Sequence, residues 1–290
     1  MQHRIAIATS QEYADLPEDD RPLIAAFAAL GISAEPEVWS TPNADWTAYS
    51  CVLVRSTWDY TWRYPEFLAW LDYVGMATRI INEPRLLRWN THKRYLRDLQ
   101  GRGVAIPWSC WPARGEPLTL ADWFERSGAD ALVVKPAVGA GGRDTFVVLR
   151  GASASPPPEV AALLAERDVI VQEYIATVTT DGELSLMFVD GQFTHAVCKR
   201  PAAGEFRVQE RFGGRVEPCV PNPEAIEFAR RVLAATPIAP VYARVDLIMR
   251  AGGEPTLIEL EVFEPSMFFA HGPAAMTALA AAVSGRLRRD

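Results

Sequence analysis

The sequence predicts an α/β protein, α+β in part, and three observations carry that reading. Strands alternate with helices in the first third, a strand–glycine-loop–strand unit fills the middle, and paired strands bearing carboxylates occupy the last third. Residues 4–9 form a short β-rich run, and 22–30 read as a helix ending at Gly31. Residues 51–55 (CVLVR) read as a second buried strand. Residues 65–74 read as an amphipathic helix, with Phe67, Leu68, Leu71 and Val74 at helical spacing. Such alternation favours a parallel sheet, whose ligands bind beyond the carboxyl ends of the strands. Arg55, Ser56, Thr57, Trp58 and Asp59 stand at such an end, and Arg55 is expected to point into a substrate cleft.

The middle opens with an expected helix over 91–100, stopped by Gly101. The strand 131–135 (ALVVK) leads into PAVGAGGRD, and 145–149 is the next strand, so the unit reads as a hairpin lid rather than a βαβ crossover. An exposed loop at Pro156-Pro157-Pro158, a helix over 159–166 and a strand over 169–174 follow. In the last third, strands are expected at 184–189, 194–199, 241–249 and 256–262, with helices over 223–235 and 272–287. The expected division is a substrate-side α/β domain over 1–92, a lid subdomain over 93–175 and a metal-bearing domain over 176–290.

A chain of 290 residues with 49% hydrophobic and 22% charged residues can bury a sizeable core. The net charge of -7 argues against broad attraction to nucleic acid or an anionic membrane. Cys51, Cys110, Cys198 and Cys219 form no CxxC pair, and His3, His92, His195 and His271 give no zinc spacing. Free thiols in a cytoplasmic protein are expected. The opening MQHRIAIATS is too short for a signal peptide, and no run approaches the roughly 18 apolar residues of a membrane span. Whether the chain forms a homo-oligomer is left open.

Gly139-Ala140-Gly141-Gly142 directly follows Val133-Val134-Lys135-Pro136. Glycines let backbone N–H groups approach phosphate oxygens, and the strand lysine just before them favours phosphate over a plain turn. The spacing is neither a P-loop nor GxGxxG. Near the end, Asp246 lies on one strand and Glu259 and Glu261 on the next, the two glutamates on one face by the two-residue period. A hairpin across the AGGEP turn would bring Asp246 beside them. Three carboxylates together suit magnesium, unless one faces solvent with an arginine partner. Lys93, Lys135, Lys199, Arg207 and Arg244 supply cations beside these elements, and the set describes a polyphosphate cradle.

The order THKRYL, VVKP with GAGG, VQEYI with GELS, RVD and ELEVFEPS resembles the ATP-grasp superfamily through about the whole chain. The segment CKRPAAGEFRVQERFGG and the early RSTWDY are similar to those of the O-ureido-serine cyclo-ligases of cycloserine biosynthesis. The resemblance implies ATP and Mg2+ as cofactors. It implies Lys93 and Lys135 on the phosphates, Gly139 to Gly142 as a mobile lid, and Gln172, Glu173, Tyr174 and Ile175 reading adenine mainly through backbone. It further implies Glu183 on the ribose and Asp246, Glu259 and Glu261 on the metal. Arg207 and Arg244 would stabilise the transferring phosphoryl group, and Lys199 would contact nucleotide or acyl phosphate. Many relatives have Glu-x-Asn where this chain has Glu259-Leu260-Glu261, which adds a negative charge.

The expected activity is ATP-dependent activation of a small amino-acid-like carboxylate as an acyl phosphate, attacked by nitrogen, with Arg55, Thr57, Trp58 and Asp59 on the substrate. Attack within one molecule, as in cycloserine formation, is favoured. The alternatives are an intermolecular carboxylate–amine ligase, a small-molecule kinase and a non-catalytic nucleotide-binding module. The aromatics from Trp58 to Tyr73 fit core packing better than base stacking, and Cys198 fits a buried bystander better than a reactive thiol.

Overall fold

The computed structural model describes residues 3–112, 114, 120–152 and 155–288. Its first sheet comprises β1 (Arg4–Thr9), β2 (Ser33–Val38), β3 (Cys51–Val54) and β4 (Arg79–Ile81), all parallel in the order β2-β1-β3-β4. Strands β1 and β3 are covered on both faces. Ile5, Ile7 and Leu53 pack under α1 (Leu23–Ala28), whereas Ala6, Val52 and Val54 pack under α2 (Tyr64–Ala77) through Phe67 and Leu71. This double burial explains the near-continuous apolar runs of β1 and β3. The edge strand β2 (SAEPEV) escaped the sequence reading because it carries a proline and half-polar positions.

The expected helix over 91–100 is replaced by two helices, α3 (Pro84–Asn90) and α4 (Tyr95–Gly101). The Glu83 carboxylate caps α3 by accepting from the Arg85 and Leu86 N–H groups, and Pro84 fits the first turn. Asn90 then donates to the Leu260 carbonyl and accepts from the Val262 N–H, which ends α3 against the last strand. The Lys93 N–H donates to the Ala137 carbonyl at 2.7 Å. Lys93 therefore stands in a pinned turn rather than on a helix.

The second sheet contains β5 (Ser109–Cys110), β6 (Ala131–Pro136), β7 (Phe146–Leu149) and β8 (Val169–Glu173), antiparallel in the order β5-β8-β6-β7. Leu132, Val134, Val169 and Val171 face α5 (Leu120–Ser127) and α6 (Pro158–Glu166) in a core of their own. The alternate residues Val133, Lys135 and Gln172 face the cleft. The glycine segment joins β6 to β7 as a hairpin, as the sequence implies.

The third sheet is antiparallel: β9 (Glu183–Val189), β10 (Gln192–Arg200), β11 (Arg215–Cys219), β12 (Tyr242–Met249) and β13 (Pro255–Glu261), in the order β11-β10-β9-β12-β13. Leu186, Phe188, Val245 and Leu260 pack with α4 and with α7 (Pro223–Ala234), which Asn222 caps. The opposite face presents charged residues. The final helix, α8 (Pro273–Leu287), returns to the first sheet and packs Leu279 and Val283 among Ile5, Ile7 and Phe27. Among the described residues, no helix is long and apolar enough to cross a membrane.

Candidate active site

The hairpin of β12 and β13 sets Asp246 opposite Glu259 and Arg244 opposite Glu261. The two-residue period puts all four side chains on the cleft face, and carboxylate oxygens of Asp246, Glu259 and Glu261 lie within 4.8 Å of one another. Three oxygen donors at such spacing fit one hard divalent cation.

Cations interleave with these acids. Arg244 bridges Asp246 (Nε to Oδ1, 2.9 Å) and Glu261 (Nη2 to Oε1, 2.5 Å). Lys199 reaches Glu183 at 2.5 Å and Asp246 at 3.4 Å, and Lys93 reaches Glu259 at 2.8 Å. Burial favours the protonated form of each acid, but Arg244 and Lys199 outweigh it and hold Asp246 below the usual carboxylate range. Lys93 and Lys135 do the same for Glu259. Glu261 is instead pushed up to about 7, because burial and the neighbouring acids exceed the pull of Arg244. Burial also lowers Lys135 to about 8.

Two adjoining cavities open onto this face. The first, ≈ 860 Å³, lies between the second and third sheets. It gathers Lys93, Lys135, Gly139, Ala140, Gly141 and Gly142 with Gln172, Glu173, Tyr174, Ile175, Glu183, Arg207 and Glu259, so those residues meet as expected. Ile248, Ile258 and Val178 add an apolar wall suited to a planar base. The Glu173 and Tyr174 N–H groups already donate to the Trp108 and Ala131 carbonyls, and Arg250 binds the Glu173 carboxylate at 2.9 and 2.8 Å. Arg207 is paired with Glu205 and lies over the Phe212 ring, 3.6 Å from its centroid.

The second cavity, ≈ 1220 Å³, joins the first through Glu259, Ala140, Gly141 and Gln209. Trp58, Asp59, Lys199, Arg244 and Glu261 line it as expected. Two expected substrate residues do not. Arg55 is 1% exposed, because its guanidinium turns into the protein, donating to Asp20 at 2.6 Å and to the Pro265 carbonyl at 2.8 Å. This ion pair replaces the expected substrate contact. Thr57 is fully buried and lines neither cavity.

The sequence reading missed Glu12, Tyr13, Arg143, Gln209, Arg211 and Glu264, all on the second cavity. The signal for Glu12 and Tyr13 was available, since they follow β1 as Trp58 and Asp59 follow β3. Gln209 and Arg211 are long-range partners of the glycine loop. A Cβ on Gly142 (φ +69) would stand 2.4 Å from Gln209 Oε1, and one on Gly141 (φ +64) 3.3 Å from Arg211 Cζ. Both positions need glycine for conformation and for close approach.

Two antiparallel sheets closing on a lysine-lined cleft, with carboxylates on its floor, define the ATP-grasp ligases. The chain belongs to that family and is an ATP-dependent, ADP-forming carbon–nitrogen ligase. A family model described as the D-cycloserine synthetase DcsG N-terminal domain matches residues 5–82, and one described as the prokaryotic glutathione synthetase ATP-grasp domain matches residues 119–265. The chain is 32% identical to the cycloserine biosynthesis protein DcsG of Streptomyces lavendulae over 304 aligned positions, covering 98% of this chain and 99% of that one. The crystal structure of D-cycloserine synthetase DcsG superposes with a TM-score of 0.89 at 32% identity, over 98% of this chain and 100% of the other. D-alanine–D-alanine ligase from Bacillus anthracis, complexed with ATP, shares the fold at 17% identity and a TM-score of 0.68, over 99% and 98% of the two chains.

Proposed function

We propose that the chain activates the carboxylate of a small amino-acid-like substrate as an acyl phosphate, and that a nitrogen of the same molecule displaces the phosphate to close a ring. O-ureido-serine is the proposed substrate, and the cytoplasm the proposed compartment. The observation that carries this reading is the junction of the cavities at Glu259 and the glycine loop, with Lys199 and Arg244 on the substrate side. A carboxylate held there faces the end of a polyphosphate lying against Lys93 and Lys135. The likeness to DcsG extends over the first sheet, which carries Trp58 and Asp59 on the substrate side.

Carboxylate and ATP are both anionic, so the main tasks of the site are charge neutralisation and in-line positioning. In this reading, Lys93 and Lys135 contact the phosphates, and residues 172–175 hold adenine. Glu183 takes the ribose hydroxyls, and Gly139 to Gly142 close the lid. Arg244 and Arg207 offset charge on the transferring phosphoryl group, and Lys199 steadies the phosphate or the acyl oxygen. Asp246, Glu259 and Glu261 would hold magnesium, whose bound charge offsets that of the phosphates. A closed glycine lid protects an acyl phosphate from water.

The matching glutathione synthetase model over residues 119–265 favours a second reading, an intermolecular carboxylate–amine ligase. ADP release separates the two. With O-ureido-serine alone it should saturate and yield a ring product with stoichiometric phosphate. A requirement for a second, separately saturating amine would establish the intermolecular reading.

A further inference from the structure

Four acids around the cleft floor each have a cation partner. Asp246 pairs with Arg244 and Lys199, Glu259 with Lys93, Glu261 with Arg244, and Glu183 with Lys199. Glu264 lines the second cavity and, among the described residues, has no cation in salt-bridge contact. It is 4% exposed, its Oε2 is buried without a hydrogen-bond partner, and the Tyr60 hydroxyl is its hydrogen-bonding neighbour.

The position of Glu264 is held from behind. Trp58 Nε1 donates to the Glu264 carbonyl at 2.9 Å, and Arg55 Nη2 donates to the Pro265 carbonyl at 2.8 Å. Its carboxyl is therefore presented by a fixed backbone rather than by a free loop. A buried carboxyl oxygen left without a donor is destabilising unless a ligand brings one. Burial, with the nearby Glu261 and Glu259, holds the Glu264 carboxyl well above the usual carboxylate range, so it keeps its proton until a ligand binds. The same negative surroundings disfavour a bound anion and favour a cationic donor, whose charge would draw that proton off.

We propose that the Glu264 carboxyl receives the α-amino nitrogen of the substrate and selects α-amino acids over the same acids lacking that nitrogen. The inference rests on the reading that the second cavity takes the amino-acid substrate. In an α-amino acid the nitrogen is one carbon from the carboxylate. A substrate whose carboxylate approaches Arg244 and Lys199 therefore keeps its ammonium within the same cavity that Glu264 lines. Arg55, which does not reach the cleft, acts here only by fixing the backbone that carries Glu264.

The test compares O-ureido-serine with 3-(ureidooxy)propanoic acid, the same chain without the α-amino group, in wild type and Glu264→Gln. Binding of a non-hydrolysable ATP analogue and the melting temperature are measured alongside. Wild type should strongly prefer the amino acid. E264Q should lose about 10- to 100-fold in kcat/KM with O-ureido-serine, mainly through KM, the loss expected for one charge-assisted hydrogen bond. Analogue binding and the slow turnover of the desamino acid should be unchanged. An equal loss with both substrates, or no loss, overturns the proposal. If wild type ignores O-ureido-serine, the ring-closing reading has failed. The Glu264 assignment is then decided by small α-amino acids against their desamino counterparts: discrimination that E264Q abolishes upholds it, and discrimination that E264Q retains overturns it.

Discussion

Lys93 Nζ lies 2.8 Å from Glu259 Oε1 and 2.8 Å from the Gly139 carbonyl oxygen, so one ammonium ties the carboxylate floor to the first residue of the glycine loop. Replacing it with methionine keeps the apolar stem but frees both partners. In Lys93→Met the affinity for an ATP analogue should fall by about 10- to 100-fold. Proteolysis within the glycine loop should also accelerate. Titration calorimetry and limited digestion would measure the two effects, and unchanged affinity would remove Lys93 from the nucleotide site.

Lys135 gives a pH signature. Burial lowers its folded pKa to about 8, below its unfolded value, so charging it costs folded-state stability at low pH. That penalty is full below about pH 8 and fades as the pH rises towards the unfolded value. Bound polyphosphate favours the charged form. Above about pH 8 nucleotide affinity should therefore fall by up to about tenfold per pH unit, as binding takes up one proton on Lys135. In Lys135→Arg the slope near pH 8 should vanish. A wild-type affinity independent of pH from 7 to 9.5 would contradict this account.

The carboxylate trio predicts metal dependence. Asp246→Asn and Glu259→Gln should abolish turnover with the circular dichroism spectrum unchanged, because each removes a ligand oxygen while keeping side-chain size. Excess EDTA should stop the wild-type reaction, and magnesium should restore it. Full activity in EDTA would rule out the assignment.

Gly142 has φ +69, and a Cβ there would meet Gln209. Gly142→Ala should reduce kcat by roughly tenfold or more through imperfect lid closure, with a small loss of stability from the left-handed backbone. Gln209→Ala in the same chain should recover part of the rate by making room. If the double variant is no better than the single one, the contact does not limit closure.

Arg55 should matter for stability, through its buried pair with Asp20. Breaking a buried ion pair by removing one partner costs about 3–5 kcal/mol. Arg55→Met should therefore lower the melting temperature sharply, and Asp20→Asn should destabilise as well. An Arg55→Met enzyme with unchanged melting temperature would show that its pair with Asp20 is not structural.

Most of the fold was legible because its signals are local. The double-faced burial of β1 and β3, the glycine hairpin and the spacing of Glu259 and Glu261 are all properties of short segments. The pairing of Asp246 with Glu259 followed from the turn between their strands. Arg55 misled because the switch-point rule locates a residue but not the direction of its side chain, and its partner Asp20 lies 35 positions away. The break at Lys93 was hidden for a similar reason: Ala137 and Leu260, which enforce it, are distant in sequence. Glu264 had no local signature at all, since its isolation becomes visible only once Asp246, Glu259, Glu261 and Glu183 are matched with their cations.

The return of α8 to the first sheet has a mechanical consequence. Leu279 and Val283 share one core with Ile5, Ile7 and Phe27, and Met187 and Val189 of the third sheet join it. The second sheet has its own core with α5 and α6. The first and third sheets thus share one core closed by the last helix, which acts as a staple between them, while most of the second sheet packs on its own two helices. Trimming that helix would pull the staple rather than free a tail, and would loosen the wall on which Trp58 and Asp59 stand before it disturbed the glycine loop.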